Sequence, residues 1–100
     1  MNVKIHSVKF DADVKLLSFV EEKVNKLEVF YDDIIGSEVF LRLEKDSQER
    51  ENKIVEIKLD VARNPLFSKK QCKTFEEATD QSVDALRKQL LKYKNKLKKK

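Results

Sequence analysis

Any bond-making chemistry in this chain would have to come from very few side chains. His6 is its one histidine and Cys72 its one cysteine. An imidazole serves as a general base when a nucleophile or an acid stands against it. No Ser, Cys or carboxylate lies at a recognisable spacing from His6, which reads as a surface strand residue. Cys72 precedes Lys73, a neighbour whose charge would lower a thiol pKa and raise its reactivity; an inert cysteine near a sheet edge is the plainer reading. One Cys and one His supply neither an intramolecular disulfide nor a zinc-ligand set. The adjacent acids Glu21-Glu22, Asp32-Asp33 and Glu76-Glu77 suit solvated helix turns better than acid/base dyads. A single glycine cannot build a glycine-rich phosphate loop. No enzyme activity, cofactor or metal is therefore expected.

The stronger signal is electrostatic. In RKQLLKYKNKLKKK, residues 87–100, eight of fourteen positions are Lys or Arg and none is acidic, a local charge of +8. Residues 1–86 carry 14 basic and 18 acidic side chains, a net of −4. A positive field concentrated at one end recruits nucleic acid or an anionic surface more effectively than an even spread of charge. Like charges at i and i+4 on a helix repel by a few tenths of a kcal/mol per pair, and mixed signs would serve solubility as well. A face that costs folding energy in this way points to a binding role, with a phosphate backbone as the natural partner.

These cations need a scaffold. In 3–10, VKIHSVKF, Val3, Ile5 and Ser7 alternate with Lys4, His6, Val8 and Phe10, which predicts a strand. Asp11 or Asp13 is then placed to cap a helix. Leu17, Val20, Val24, Leu27 and Tyr31 recur at gaps of three and four, which predicts a helix over residues 14–31. DDIIGS breaks it at Gly36. Val39, Leu41 and Leu43 alternate with Glu38, Phe40, Arg42 and Glu44 over 37–45. Val55, Ile57, Leu59 and Val61 alternate with Ile54, Glu56, Lys58 and Asp60 over 53–62. Both segments have the period of a sheet with one buried and one wet face. DSQEREN between them reads as an exposed hairpin loop and RNP, 63–65, as a turn. LFSKKQCK, 66–73, is a weaker strand suited to a sheet edge.

Thr74-Phe75-Glu76-Glu77 has the form of a capping box. The helix it opens carries Phe75, Thr79, Val83, Leu86, Leu90, Tyr93 and Leu97 as one apolar stripe. That stripe runs through the basic segment, so the lysines sit on a helix to about residue 97, with 98–100 fraying. Lys88, Lys92 and Lys96 then form one ridge beside the stripe, and Arg87, Lys94 and Lys98 another on the far flank. The expected fold is α+β, in the order β-α-β-β-β-α: one domain spanning 1–100, a four-stranded sheet with two helices on one face.

Aromatics and cations also interleave on the first helix. Phe19, Lys23, Lys26 and Phe30 recur at gaps of four, three and four. Such a row could stack bases and pair phosphates, or the rings could pack against the neighbouring helix, which is the favoured reading. Tyr93, between Lys92 and Lys94, invites the same choice, and its place on the apolar stripe favours packing. No apolar run approaches the roughly 20 residues of a membrane span, and the alternating start MNVKIHSVKF is unlike a signal peptide. A soluble, cytoplasmic protein is expected.

FVEEKVNKLEVFYDDI (19–34), VFLRLEKDSQ (39–48) and VDALRKQLLKYKNKL (83–97) together resemble the ribosome hibernation promoting factors, a family also known as ribosome-associated inhibitors or sigma-factor modulation proteins. The resemblance covers nearly the whole chain and extends to the β-α-β-β-β-α order. It implies a fold like that of double-stranded-RNA-binding domains. It implies as partners the small ribosomal subunit and its rRNA, bound in the channel where mRNA and tRNA would otherwise lie, so that translation falls silent in starved or stationary cells. Carried over by position, the rRNA-binding residues it implies are Lys23, Lys26, Arg42, Lys88, Lys92, Lys94 and Lys96, with Arg87 as an added cation. The chain departs from the family pattern at KKQCKTFEEATD, 69–80, which keeps Ala78 and Asp80 of a run usually written Asp-Met-Tyr-Ala-Ala-Ile-Asp. It departs again at Ala85, where Lys is frequent. In length it resembles the short form. Two other readings are a generic double-stranded RNA binder, which usually carries its lysines at the start of the last helix, and a protein-interaction module using the acidic body.

Overall fold

The computed structural model describes residues 1–44, 51–62 and 64–98, with side chains as far as Lys96. Strand β1 (Asn2–Ser7) leads to helix α1 (Val14–Asn25), which ends in a single 3-10 turn, Lys26–Val29. Strands β2 (Ile34–Leu43), β3 (Lys53–Val61) and β4 (Leu66–Cys72) follow, and helix α2 (Phe75–Lys98) closes the chain. The predicted element order is the observed one. The sheet runs β1-β2-β3-β4, with β1 parallel to β2 and the other pairs antiparallel. A parallel neighbour cannot be reached by a tight turn, and α1 supplies the crossover.

Alternation decides which side of the sheet is covered. In register, Ile5 faces Val39, Val39 faces Ile57 and Ile57 faces Ser68. This row and its neighbours Leu41, Val55, Leu59, Val61 and Cys72 meet Val20, Val24 and Leu27 from the first helical segment and Phe75, Ala78, Leu86 and Leu90 from α2. Each fully buried aliphatic side chain here contributes about 1.5–3 kcal/mol. The stripe on α2 is wider at its start than the predicted one, because Ala78 and Ser82 are buried beside Thr79. Ser82 repays its burial by pairing: its Oγ donates to the Val55 carbonyl at 3.4 Å, and its own carbonyl accepts from Ser68 Oγ at 3.1 Å.

Both helix starts follow the sequence signals. Asp13 caps α1, its carboxylate accepting from the Leu16 amide at 2.8 Å. Thr74 Oγ1 accepts from the Glu77 amide at 3.0 Å and caps α2. Three boundaries differ. β1 ends at Ser7, and Lys9 takes a left-handed backbone with φ 65°. The chain turns there, so Phe10 leaves the wet side and stacks on Phe75 with centroids 5.1 Å apart. The first helix tightens to 3-10 at Lys26, leaving Tyr31 beyond it. Gly36 is not a breaker but a strand residue opposite Asn2. A Cβ there would meet the Asn2 carbonyl oxygen at 3.2 Å, so glycine serves close strand approach at this point. The hairpin joining β2 to β3 is closed by the Glu44 amide on the Asn52 carbonyl at 2.9 Å. Most of the DSQEREN loop and Arg63 of the RNP turn lie outside the described residues.

Candidate nucleic-acid interface

Twenty-four helical residues span about 36 Å at 1.5 Å each, whereas the seven of β4 span about 23 Å. The helix therefore outruns the strand it packs on. Among the described residues Leu90 is its last fully buried side chain, and Tyr93 is half-buried. Tyr93 is fastened by donating its hydroxyl to the Ala62 carbonyl at 3.0 Å and by an edge-on contact with Tyr31 at 5.5 Å. Lys92, Lys94, Asn95 and Lys96 are exposed around this last stretch. The molecule measures 49 × 25 × 18 Å along its principal axes, a long wedge.

The predicted cations fall into three groups. Lys92, Lys94 and Lys96 stand on α2 with no carboxylate partner among the described residues. Arg87 and Lys88 share Asp84 one turn back: Arg87 donates through Nε at 3.2 Å and Nη2 at 2.8 Å, and Lys88 Nζ stands 3.2 Å away. The two charge-assisted partners hold the Asp84 carboxyl below its usual range, Arg87 first and Lys88 second. Lys23 and Lys26 lie on the first helical segment. Lys23 reaches across to Asp80 of α2 at 3.4 Å, and Lys26 pairs loosely with Glu22 at 3.9 Å. Arg42 is set apart from all of these. It projects from the opposite face of the sheet, pairs with Glu56 and lies over Phe40. The fold thus brings the helical cations onto one side and leaves Arg42 on the other.

The aromatic row on the first helix resolves toward packing. Phe19 and Phe30 lie against the core, and their remaining ring surfaces are covered by cations: Lys23 stands 5.4 Å from the Phe19 centroid and Arg87 5.9 Å from that of Phe30. Phe30 thereby orients the guanidinium of Arg87. His6 stacks on Phe40 at 4.8 Å and lies 3.2 Å from Glu38. Cys72 is buried, and its thiol is pushed up by desolvation and then by its hydrogen bond to Glu77. This fits the plainer reading of an unactivated cysteine, because burial disfavours the thiolate more than the nearby charge of Lys70 favours it. Among the described residues, no three or more His, Cys, Asp and Glu side chains come together as a metal site, and no helix is long and apolar enough to cross a membrane.

Two members of the basic surface escaped the sequence reading. Asp84 lies three and four residues before Arg87 and Lys88, a spacing that signals helix ion pairs, yet it falls outside the acid-free run. Lys70 sits opposite Val55, in step with buried Ser68 and Cys72, so its stem runs on the helical side of the edge strand. There it lines a groove of about 500 Å³ with Gln81, Asp84, Lys88, Gln89 and Lys92.

The family model described as sigma 54 modulation protein / S30EA ribosomal protein matches residues 3–98. The chain belongs to this family. Two solved structures share the fold of this S30EA chain. A ribosomal subunit interface protein from Coxiella burnetii superposes with a TM-score of 0.82 at 18% identity, covering 95% of this chain and 99% of that one. The N-terminal domain of Protein Y from Thermus thermophilus superposes with a TM-score of 0.78 at 21% identity, covering 93% and 99%. No curated protein matches the sequence. At these identities the likeness speaks for the fold, which is the α+β arrangement that the hydropathy pattern predicts. The family is one of ribosome-associated proteins, as the resemblance in the three basic and acidic segments implies.

Proposed function

We propose that this S30EA-family chain is a cytoplasmic hibernation factor that binds the small ribosomal subunit in the mRNA and tRNA channel and silences translation by occlusion in starved cells. The observation that carries the reading is the end of α2, where Lys92, Lys94 and Lys96 stand exposed and without carboxylate partners among the described residues, on a helix held rigid by Leu86, Leu90 and Tyr93. Three uncompensated cations at helical spacing suit a phosphate backbone, and Arg87, Lys88, Lys23 and Lys26 extend the same side. Such contacts position a protein on folded RNA by shape and charge instead of by base sequence. The wedge itself then fills the space that mRNA and tRNA need.

A generic double-stranded RNA binder is less well supported, because the first turn of α2 carries Glu76 and Glu77 in place of a basic cluster. An acidic interaction surface is weakened by internal pairing, since Glu38 is engaged by His6 and Glu56 by Arg42. Co-sedimentation with small ribosomal subunits over a range of salt tests the proposal. With about five phosphates neutralised, log affinity falls against log salt with a slope of roughly −3 to −5. A flat dependence would remove the phosphate contacts, and with them the reading.

A further inference from the structure

We propose that Asp84 is an internal counter-anion marking a phosphate position, and that the groove between β4 and α2 which it rims takes an RNA backbone alongside Lys70, Lys88 and Lys92. This deepens, and rests on, the ribosome-binding reading above. The geometry of the Asp84 carboxylate is that of an anion in a three-donor cradle. One oxygen receives Arg87 through Nε and Nη2, at 3.2 and 2.8 Å, and the other faces Lys88 Nζ at 3.2 Å. A guanidinium that converges two donors on one oxygen, with an ammonium on the other, offers an oxyanion the charge-assisted contacts that suit phosphate as well as carboxylate.

The cradle is built and not incidental. Arg87 is held from behind by the Phe30 ring at 5.9 Å. Gln89 ties α2 to the edge strand by donating to the Phe67 carbonyl at 3.0 Å, which fixes the groove wall. Ala85 forms part of the lining, where a longer side chain would fill the space. Lys70 and Lys92 line the same groove and have no carboxylate partner among the described residues. About half of the Asp84 side chain is exposed, so an incoming anion can reach its partners. In the free protein Asp84 quiets two cations and limits their attraction for any stray polyanion. A phosphate of correctly shaped RNA displaces it, while Lys70 and Lys92 engage the flanking backbone. Asp84 would thus set specificity by holding affinity below the maximum that the lysines allow.

The test measures binding of the full chain to purified small ribosomal subunits at fixed moderate salt. Asp84→Asn keeps the side-chain shape, removes the charge, and should tighten binding about three- to ten-fold with a steeper salt slope. Asp60→Asn, on the far face of the sheet, changes net charge equally and should have little effect. Lys70→Gln should weaken binding about two- to five-fold at an unchanged melting temperature. Absence of tightening in Asp84→Asn, equal tightening in Asp60→Asn, or unchanged binding in Lys70→Gln each overturns the proposal. Lys94→Gln with Lys96→Gln, outside the groove, reports on the underlying reading. If that pair weakens binding while the groove variants do not, the groove alone is wrong; if it leaves binding unchanged, the ribosome-binding reading fails with it.

Discussion

The hydroxyl of Tyr93 meets the carbonyl of Ala62 at 3.0 Å, joining residues 31 apart in sequence and pinning α2 to the end of β3 just where the helix leaves the sheet. Beyond it lie the exposed lysines. Tyr93→Phe should keep the fold and lose about 0.5–1.5 kcal/mol, the net worth of one hydrogen bond. Thermal melting should show a drop of a few degrees. Amide exchange should rise over residues 92–96 and stay unchanged in the sheet. Uniform exchange across α2 would mean that the bond does not anchor the arm.

Leu86 lies at the centre of the covered face and is fully buried. Leu86→Ala should cost about 2–5 kcal/mol, from lost burial and the cavity left behind. Denaturant unfolding measures this directly. A cost under about 1 kcal/mol would mean that α2 docks loosely and that the arm has no firm base.

Much of this was legible beforehand, for identifiable reasons. Alternation in β2 and β3 and the three-four spacing along both helices state the fold because one face of each element is buried and the other wet. What stayed hidden depends on contacts between distant residues. Gly36 looks like a stop because glycine usually is one, and its place opposite Asn2 follows from pairing with β1. Arg42 joined the candidate cations by its position in the family resemblance, and strand alternation puts it on the side away from the helices. Lys70 and Asp84 needed the packing of β4 on α2 before they could be seen to share a groove.

Replacing Lys88, Lys92 and Lys96 together with Gln should weaken ribosome binding by at least ten-fold at moderate salt and reduce the salt slope by roughly two to three. None of the three belongs to the core cluster, so circular dichroism and melting should be near those of the parent. Retained binding with an unchanged melt would exclude this ridge as the contact surface.

Cys72 carries a pH prediction whose sign follows from burial. Its thiol is raised above the ordinary value of 9.0 in the folded chain. Unfolded chains can ionise it first, so its contribution is intact below that value and is lost as pH rises above it. Stability measured between pH 8 and 10.5 should fall more steeply in the parent than in Cys72→Ala. Alkylation at neutral pH should be slow in the native protein and fast in denaturant. Rapid native alkylation would contradict an inert, buried thiol.

The last prediction separates occlusion from chemistry. The chain's one imidazole stacks on Phe40 and faces Glu38, away from the helical cations, and its one thiol is buried. Neither has a place in a mechanism that works by filling space. In a purified translation reaction, protein added before mRNA and initiator tRNA should inhibit, and rising concentrations of both ligands should relieve the inhibition. Competition of this kind shifts the inhibitor concentration needed and leaves the rRNA uncut and unmodified. His6→Ala and Cys72→Ala should inhibit as well as the parent, whereas the Lys88, Lys92 and Lys96 triple variant should not. Loss of inhibition in His6→Ala with ribosome binding retained would show that more than space is involved, because binding would then be separable from silencing.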